Sequence, residues 1–444
     1  MTAPEPTPTP AARAASSGPP ASANLAWVSL IGFVGFAIAA TSLAGRDLPR
    51  HVYTSLCMIA TGAPMMLVDV LINRVHRRET AGLSWGAEAR PGASMERTLV
   101  KYAGLAATLG ALAFVYWLAP EWSGTKHNDF FNAIDWAWPV LLPVALLYIP
   151  FVDAHMRQPE DATFLTGALL LGKRRWAELD AAQRRELREH ALGWVIKGYY
   201  LPQMFDLYVD AATGLSSAPW GSMFTSSVSL VKVGLRASVA VDMAFGALGY
   251  CATLRLFDAQ IRSTNPLAWG WMVTIMMYQP FWSVFSKNFF AYGDREDWHK
   301  VLPDIPPLLW TWAILIVATR VGWAWANSMY GGRFSNLTHR GIITAGPYRW
   351  TRHPSYLFKN LSWWLAGLPF LGAASTEDAI KASLAMLCVN GIYLLRAKAE
   401  EHHLSEDPTY VAYANWVEEN SPLRFLRKIF PFIRYRHAAG RIAD

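Results

Sequence analysis

The segment Gly346-Pro347-Tyr348-Arg349-Trp350-Thr351-Arg352-His353-Pro354-Ser355-Tyr356, with Glu400 and Glu401 about forty residues further on, gathers the side chains of this chain best suited to chemistry. Arg352, His353 and Arg396 are donors suited to a carboxylate. Glu400 and Glu401 are acceptors suited to an ammonium or a diol, and the face of Tyr356 suits a cation. Adjacent residues on a helix project about 100° apart. Glu400 and Glu401 therefore take separate roles, one reaching a ligand while the other pairs with an arginine. Pro354 lacks a backbone donor and is expected to stop an upstream helix, leaving carbonyls and side chains to face a cavity.

These groups flank two apolar runs, and such runs fill the chain. With 53% hydrophobic residues, 16% charged residues and a positive mean hydropathy, the composition is that of a membrane protein. Stretches near 25–45, 52–72, 100–119, 133–153, 191–210, 224–254, 266–288, 305–327, 355–373 and 379–396 approach the roughly twenty residues a span requires. The expected fold is all-α, a polytopic transmembrane helical bundle of about ten spans. Twenty-one Trp and seventeen Tyr suit two lipid–water interfaces. The net charge of +7 reads as loops facing anionic lipid, with no basic arm or stripe for nucleic acid.

Loops rich in Lys and Arg stay cytoplasmic. Basic loops follow the second, fourth, sixth and eighth runs, and the alternate loops 120–132, 211–223 and 374–378 are poor in basic residues. Both termini and the Gly346–Tyr356 segment are thus expected on the cytoplasmic side, with Arg46 and Arg50 against the pattern. Residues 1–24, rich in Pro, Thr, Ala and Ser, are expected to be a disordered tail, and 438–444 a second tail. The loop 157–190 has the alternation of an amphipathic helix pair lying on the membrane. Cys57, Cys251 and Cys388 are far apart within apolar runs, which suggests neither disulfides nor a zinc cluster. His402 and His403 lack a matching ligand cluster, so no metal is expected.

Gly346-Pro347-Tyr348, Arg352-His353-Pro354-Ser355-Tyr356, Arg396, Glu400-Glu401, Tyr410 and Tyr413 resemble the membrane methyltransferases typified by isoprenylcysteine carboxyl methyltransferase and phosphatidylethanolamine N-methyltransferase. The resemblance covers about 333–417, and no named motif precedes residue 300. It implies S-adenosylmethionine enclosed in a cytoplasmic pocket near the C-terminus by Gly346, Tyr348, Arg352, His353, Pro354, Tyr356, Arg396, Glu400 and Glu401, with Arg352, Glu400 and Glu401 as positioning candidates. Phe358 and Lys359 stand where the family usually has Gly, and Asp407-Pro408 falls in a shortened segment.

A methyltransferase-like region at 305–437 and a substrate-side bundle at 25–304 follow from that resemblance. Ionisable groups inside apolar runs are costly and mark polar cavities or ion pairs. Lys197, Lys232 and Asp242 are the substrate-side candidates, joined by Lys359, which either snorkels or faces substrate. The expected function is methyl transfer to a lipophilic substrate, with a carboxylate, amine or thiol acceptor left open. The alternative is an NADPH-dependent membrane reductase resembling the sterol reductases. A transporter or scaffold would leave the C-terminal cluster without a purpose.

Overall fold

The computed structural model describes residues 18–86, 92–119, 128–288, 298–371 and 375–436. The long elements are α1 (Ala26–Leu43), α2 (Arg50–Leu71), α3 (Met95–Leu118), α4 (Asn128–Asp153), α5 (Ala162–Leu170), α6 (Ala181–Ser216) and α7 (Ser227–Cys251). After these come α8 (Ala268–Ile275), α9 (Phe281–Asn288), α10 (Pro306–Ser328), α11 (Pro354–Gly367), α12 (Thr376–Leu404) and α13 (Pro408–Asn420). Six of them, α1, α2, α3, α4, α10 and α12, are long and apolar enough to cross a membrane, which supports an integral membrane protein.

The sequence suggested about ten spans, and the differences have local causes. Helices α6 and α7 are long but more polar, carrying Lys197, Asp206 and Asp210 in one and Lys232, Arg236 and Asp242 in the other. The run 266–288 is broken into two helices of 8 residues on either side of Gln279-Pro280. The run 355–373 yields a helix of 14 residues, about 21 Å at 1.5 Å per residue and short of a ~30 Å hydrocarbon core.

The loop 157–190 also departs from a surface pair. Helix α5 packs on α3 so closely that a Cβ on Gly104 would stand 2.0 Å from Thr163 O, and one on Gly167 1.9 Å from Val100 O. Leu165 is fully buried as a result. The second half of that loop opens α6, where Asp180 and Gln183 cap each other's backbone amides. Within the expected N-terminal tail, Ala23 N donates to Ile342 O at 2.8 Å and Asn24 Nδ2 donates to Met329 O at 2.9 Å, so this stretch is packed on the C-terminal region. Residues 1–17 and 437–444 lie outside the described residues.

Tyr200, Tyr208 and Tyr250 fill a core between α1, α2, α6 and α7. The two halves of the chain are joined by a short antiparallel pair, β1 (Ser263–Thr264) with β2 (Thr338–His339). Next to β2, the buried Arg340 guanidinium donates to five carbonyls, those of Gly249 (2.6 Å), Ala252 (3.2 Å), Ala259 (2.7 Å), Gly332 (2.8 Å) and Phe334 (3.0 Å). Every N–H of the fork has an acceptor.

Candidate functional site

Gly346 has φ +60°, and a Cβ there would meet Met329 Sδ at 2.8 Å. Glycine thus lets the chain turn tightly against the end of α10. Four residues of 3₁₀ helix, Gly346–Arg349, lead to His353, which occupies the N-cap position of α11. Pro354 opens α11 in its first turn, where a missing N–H costs nothing, instead of stopping a helix upstream. One turn along α11, Tyr356 stacks on the His353 ring with centroids 5.6 Å apart.

Helix α12 brings the acids to this corner. Arg352 Nε donates to Glu401 Oε1 at 2.8 Å, its Nη1 to Glu418 Oε1, and its Nη2 to Ile433 O at 2.8 Å. Lys398 Nζ adds a bond to Glu401 Oε2 at 2.8 Å. Arg352 and Glu401 are therefore closed on each other. Glu400 faces the other way, accepting from the Tyr356 hydroxyl, and its Oε2 lies 3.5 Å from His353 Nδ1. His353 Nε2 stands 3.3 Å from Glu401 Oε1, which sets the imidazole between two carboxylates. Burial alone would lower its pKa; the bonds to Glu400 and Glu401 outweigh burial and raise it above the usual histidine value.

Arg396, one turn before Glu400, is buried among aromatic faces. Its guanidinium carbon lies 5.1 Å from the Tyr393 ring centroid, 5.2 Å from Tyr356 and 5.9 Å from Tyr278. Its Nη2 donates to Asn336 Oδ1 at 3.1 Å, and its Nε is buried with no acceptor among the described residues.

These groups surround a cavity of about 350 Å³. Tyr348, Arg352, His353, Tyr356, Arg396 and Glu400 line it, and so do Asp242 and Lys359 from the substrate-side candidates. Gly346, Pro354 and Glu401 do not line it; they shape the wall from behind. Asp242 is buried and accepts from Asn327 Nδ2 across α7 and α10. Lys359 Nζ lies over the rings of Trp323 (4.7 Å), Trp363 (5.3 Å) and Tyr393 (5.3 Å). Phe358, at the position where a Gly was noted as usual, fits because α10 supplies the space: a Cβ on Gly322 would stand 2.8 Å from the Phe358 ring. Lys197 lines a separate cavity of about 620 Å³, and Lys232 is exposed on α7 and lines neither.

Sequence reading missed Tyr278 and Asn336. Asn336 Nδ2 donates to the hydroxyls of Tyr250 (2.8 Å) and Tyr278 (3.1 Å), which fixes the amide that holds Arg396. The available signal for Tyr278 was Pro280, a helix breaker inside an apolar run.

Residues 310–406 match the family model of the Isoprenylcysteine carboxyl methyltransferase (ICMT) family. The ICMT match takes in nearly all of α10 and the whole of α11 and α12, with His353, Tyr356, Arg396 and Glu400, and supports a membrane methyltransferase. Asp242, Tyr278 and Glu418 lie outside it. Comparison with curated proteins and with solved structures gave no match.

Proposed function

We propose that this chain is an integral-membrane methyltransferase that uses S-adenosylmethionine to methylate a lipophilic substrate. What carries the reading is the meeting of His353, Tyr356, Arg396 and Glu400 around one cavity, within the segment that matches the ICMT family. Its basic surroundings support a cytoplasmic placement of that cavity.

The donor set fits the group. The unpartnered Arg396 Nε would take an amino-acid carboxylate, Glu400 would take the ammonium, and the rings of Tyr278, Tyr356 and Tyr393 suit a sulfonium. When bound, S-adenosylmethionine supplies a methyl group on a cationic sulfur, open to in-line displacement. The task left to the chain is to hold, align and exclude water. Arg352 and Glu401 serve by rigidity, because their hydrogen bonds are already made within the protein. Asp242, on the far wall of the cavity, would receive the proton of an amine or hydroxyl acceptor, whereas a carboxylate or thiolate acceptor needs no base.

Calorimetric titration of the detergent-solubilised protein with S-adenosylmethionine and, separately, NADPH tests the reading. Binding of S-adenosylmethionine alone, weakened in Glu400→Gln, is expected. Binding of NADPH alone would replace the methyltransferase by a reductase.

A further inference from the structure

The larger cavity lies in the half of the chain that the ICMT match does not reach. It sits where α4 and α7 end and α3 begins, so its walls gather at the ends of two helices long and apolar enough to cross a membrane, where a spanning helix meets headgroups.

Its carboxylates are all engaged. Asp153 is held by Arg97 at 2.9 Å and by Lys101 at 3.0 Å. Asp161 is held by Lys101 at 3.3 Å and caps α5 through Phe164 N at 3.2 Å. Glu186 accepts from Ala162 N at 3.1 Å. Glu189 accepts from both Thr264 N and Thr264 Oγ1 at 2.6 Å and pairs with Arg188 at 3.3 Å.

Of the cations, Lys101 is taken by Asp153 and Asp161 and Arg185 reaches Glu406 at 3.5 Å, but the other three are matched less fully. Lys197 Nζ has the Thr253 hydroxyl at 2.5 Å and the Trp194 ring at 4.3 Å, and no carboxylate within 4.0 Å among the described residues. Arg255 makes no side-chain hydrogen bond and no ion pair within 4.0 Å among the described residues, and the carboxylate whose charge it feels is that of Glu186. Arg262 pairs with Asp258 at 3.1 Å, yet its Nε is buried without an acceptor. Lys197, Arg255 and Arg262 are half-buried, and none of them is closed on a carboxylate as tightly as Lys101 is on Asp153, so the wall of the cavity offers donors to an anion. The donors come from separate segments, which suits an anion with several oxygens better than a carboxylate with two. Tyr148, Ile149 and Trp194 add an apolar wall, and α4, which carries the first two, is largely exposed on the outside of the bundle.

We infer that this cavity binds the phosphate of an amphiphile, with Lys197 and Arg255 as the principal holders. The site is separate from the first cavity and does not depend on what that cavity binds. A membrane phospholipid and a free phosphate are the two sources of such an anion.

The test titrates detergent-solubilised protein with inorganic phosphate and with short-chain phosphatidic acid, using short-chain diacylglycerol as the uncharged control. Phosphatidic acid should bind and diacylglycerol should not. K197Q/R255Q should bind phosphatidic acid at least about tenfold more weakly, as expected for two lost charge-assisted bonds. K197R, which keeps the charge, should retain binding, and K232Q, which alters the exposed lysine on α7, should match the wild type. If the double variant does not fold, R255Q alone carries the comparison with K197R. Binding of phosphate as well as the lipid shows that the anion suffices; binding of the lipid alone shows that the acyl chains contribute. No binding of either, or equal binding by wild type and K197Q/R255Q, overturns the inference. S-adenosylmethionine titration of the same variants should be unchanged, so its loss would not be mistaken for loss of the anion site.

Discussion

The two cavities differ in how their charged side chains are partnered. Around the C-terminal one, Arg352, Glu401, His353, Glu400 and Tyr356 form a nearly closed chain of hydrogen bonds, beside which, among the described residues, Arg396 Nε is left without an acceptor and Lys359 has only aromatic faces. Around the N-terminal one, the carboxylates are engaged and Lys197 and Arg255 are left over. A closed chain fixes geometry, whereas an unmatched charge marks where something else must come. Both kinds of residue carry a formal charge, and they differ in how many of their hydrogen bonds are met within the protein, which is the ground for the proposed binding groups.

That contrast is broken most severely at Arg340. Arg340→Ala would take a donor from three buried carbonyls and two half-buried ones, with only Ala252 O, among the described residues, keeping another in Leu254 N; at about 1–3 kcal/mol for each buried group left unsatisfied, no folded protein should survive size-exclusion chromatography in detergent. Next comes Arg352→Ala, which takes the guanidinium from Glu401 and Glu418 but leaves them Lys398 and Arg427; a loss of about 2–3 kcal/mol should appear in thermal unfolding. Glu401→Gln in the same chain should restore part of that loss if the pair acts as one unit. Glu400→Gln sharpens the comparison from the other side, with a stability change within about 1 kcal/mol but a fall in S-adenosylmethionine affinity of about tenfold or more.

His353 offers a smaller, pH-dependent reading. Its folded pKa is raised, so the stability it contributes is fully present below the unfolded value near 6.5 and is lost as pH rises through the folded value. Thermal unfolding across that range should show the slope, and His353→Gln should remove it. Lys232→Gln, exposed on α7, should change stability by no more than about 0.5 kcal/mol by the same measurement.

The C-terminal cluster was legible because its members are close in sequence or share one helix, and because the chemistry of Arg, His, Glu and Tyr can be read without a structure. The division of labour between Glu400 and Glu401 followed from the angle between neighbouring helical residues. Tyr278, Asn336 and Asp242 were harder, because segments distant in sequence bring them to the cavity. Lys197 and Lys232 looked alike in sequence, each a lysine in a long apolar helix. What separates them is the face each occupies once α6 and α7 are packed. The broken run at 266–288 and the short helix at 354–367 had warnings in Pro280 and Pro369, which an apolar composition outweighed.

Arg340 also has a consequence for synthesis. Its acceptors at 249, 252 and 259 emerge from the ribosome some eighty to ninety residues before the guanidinium that ties them. Until then Tyr250 and Thr264 are held by α6 through Tyr200 and Glu189, but the carbonyls of Gly249 and Ala259 and the pairing edge of β1 are unfilled, so a chain cut between 260 and 340 would carry an unfinished edge for quality-control proteases to find. The N-terminal bundle and the matched C-terminal segment are in this sense one unit of assembly, made in two instalments and locked by the second.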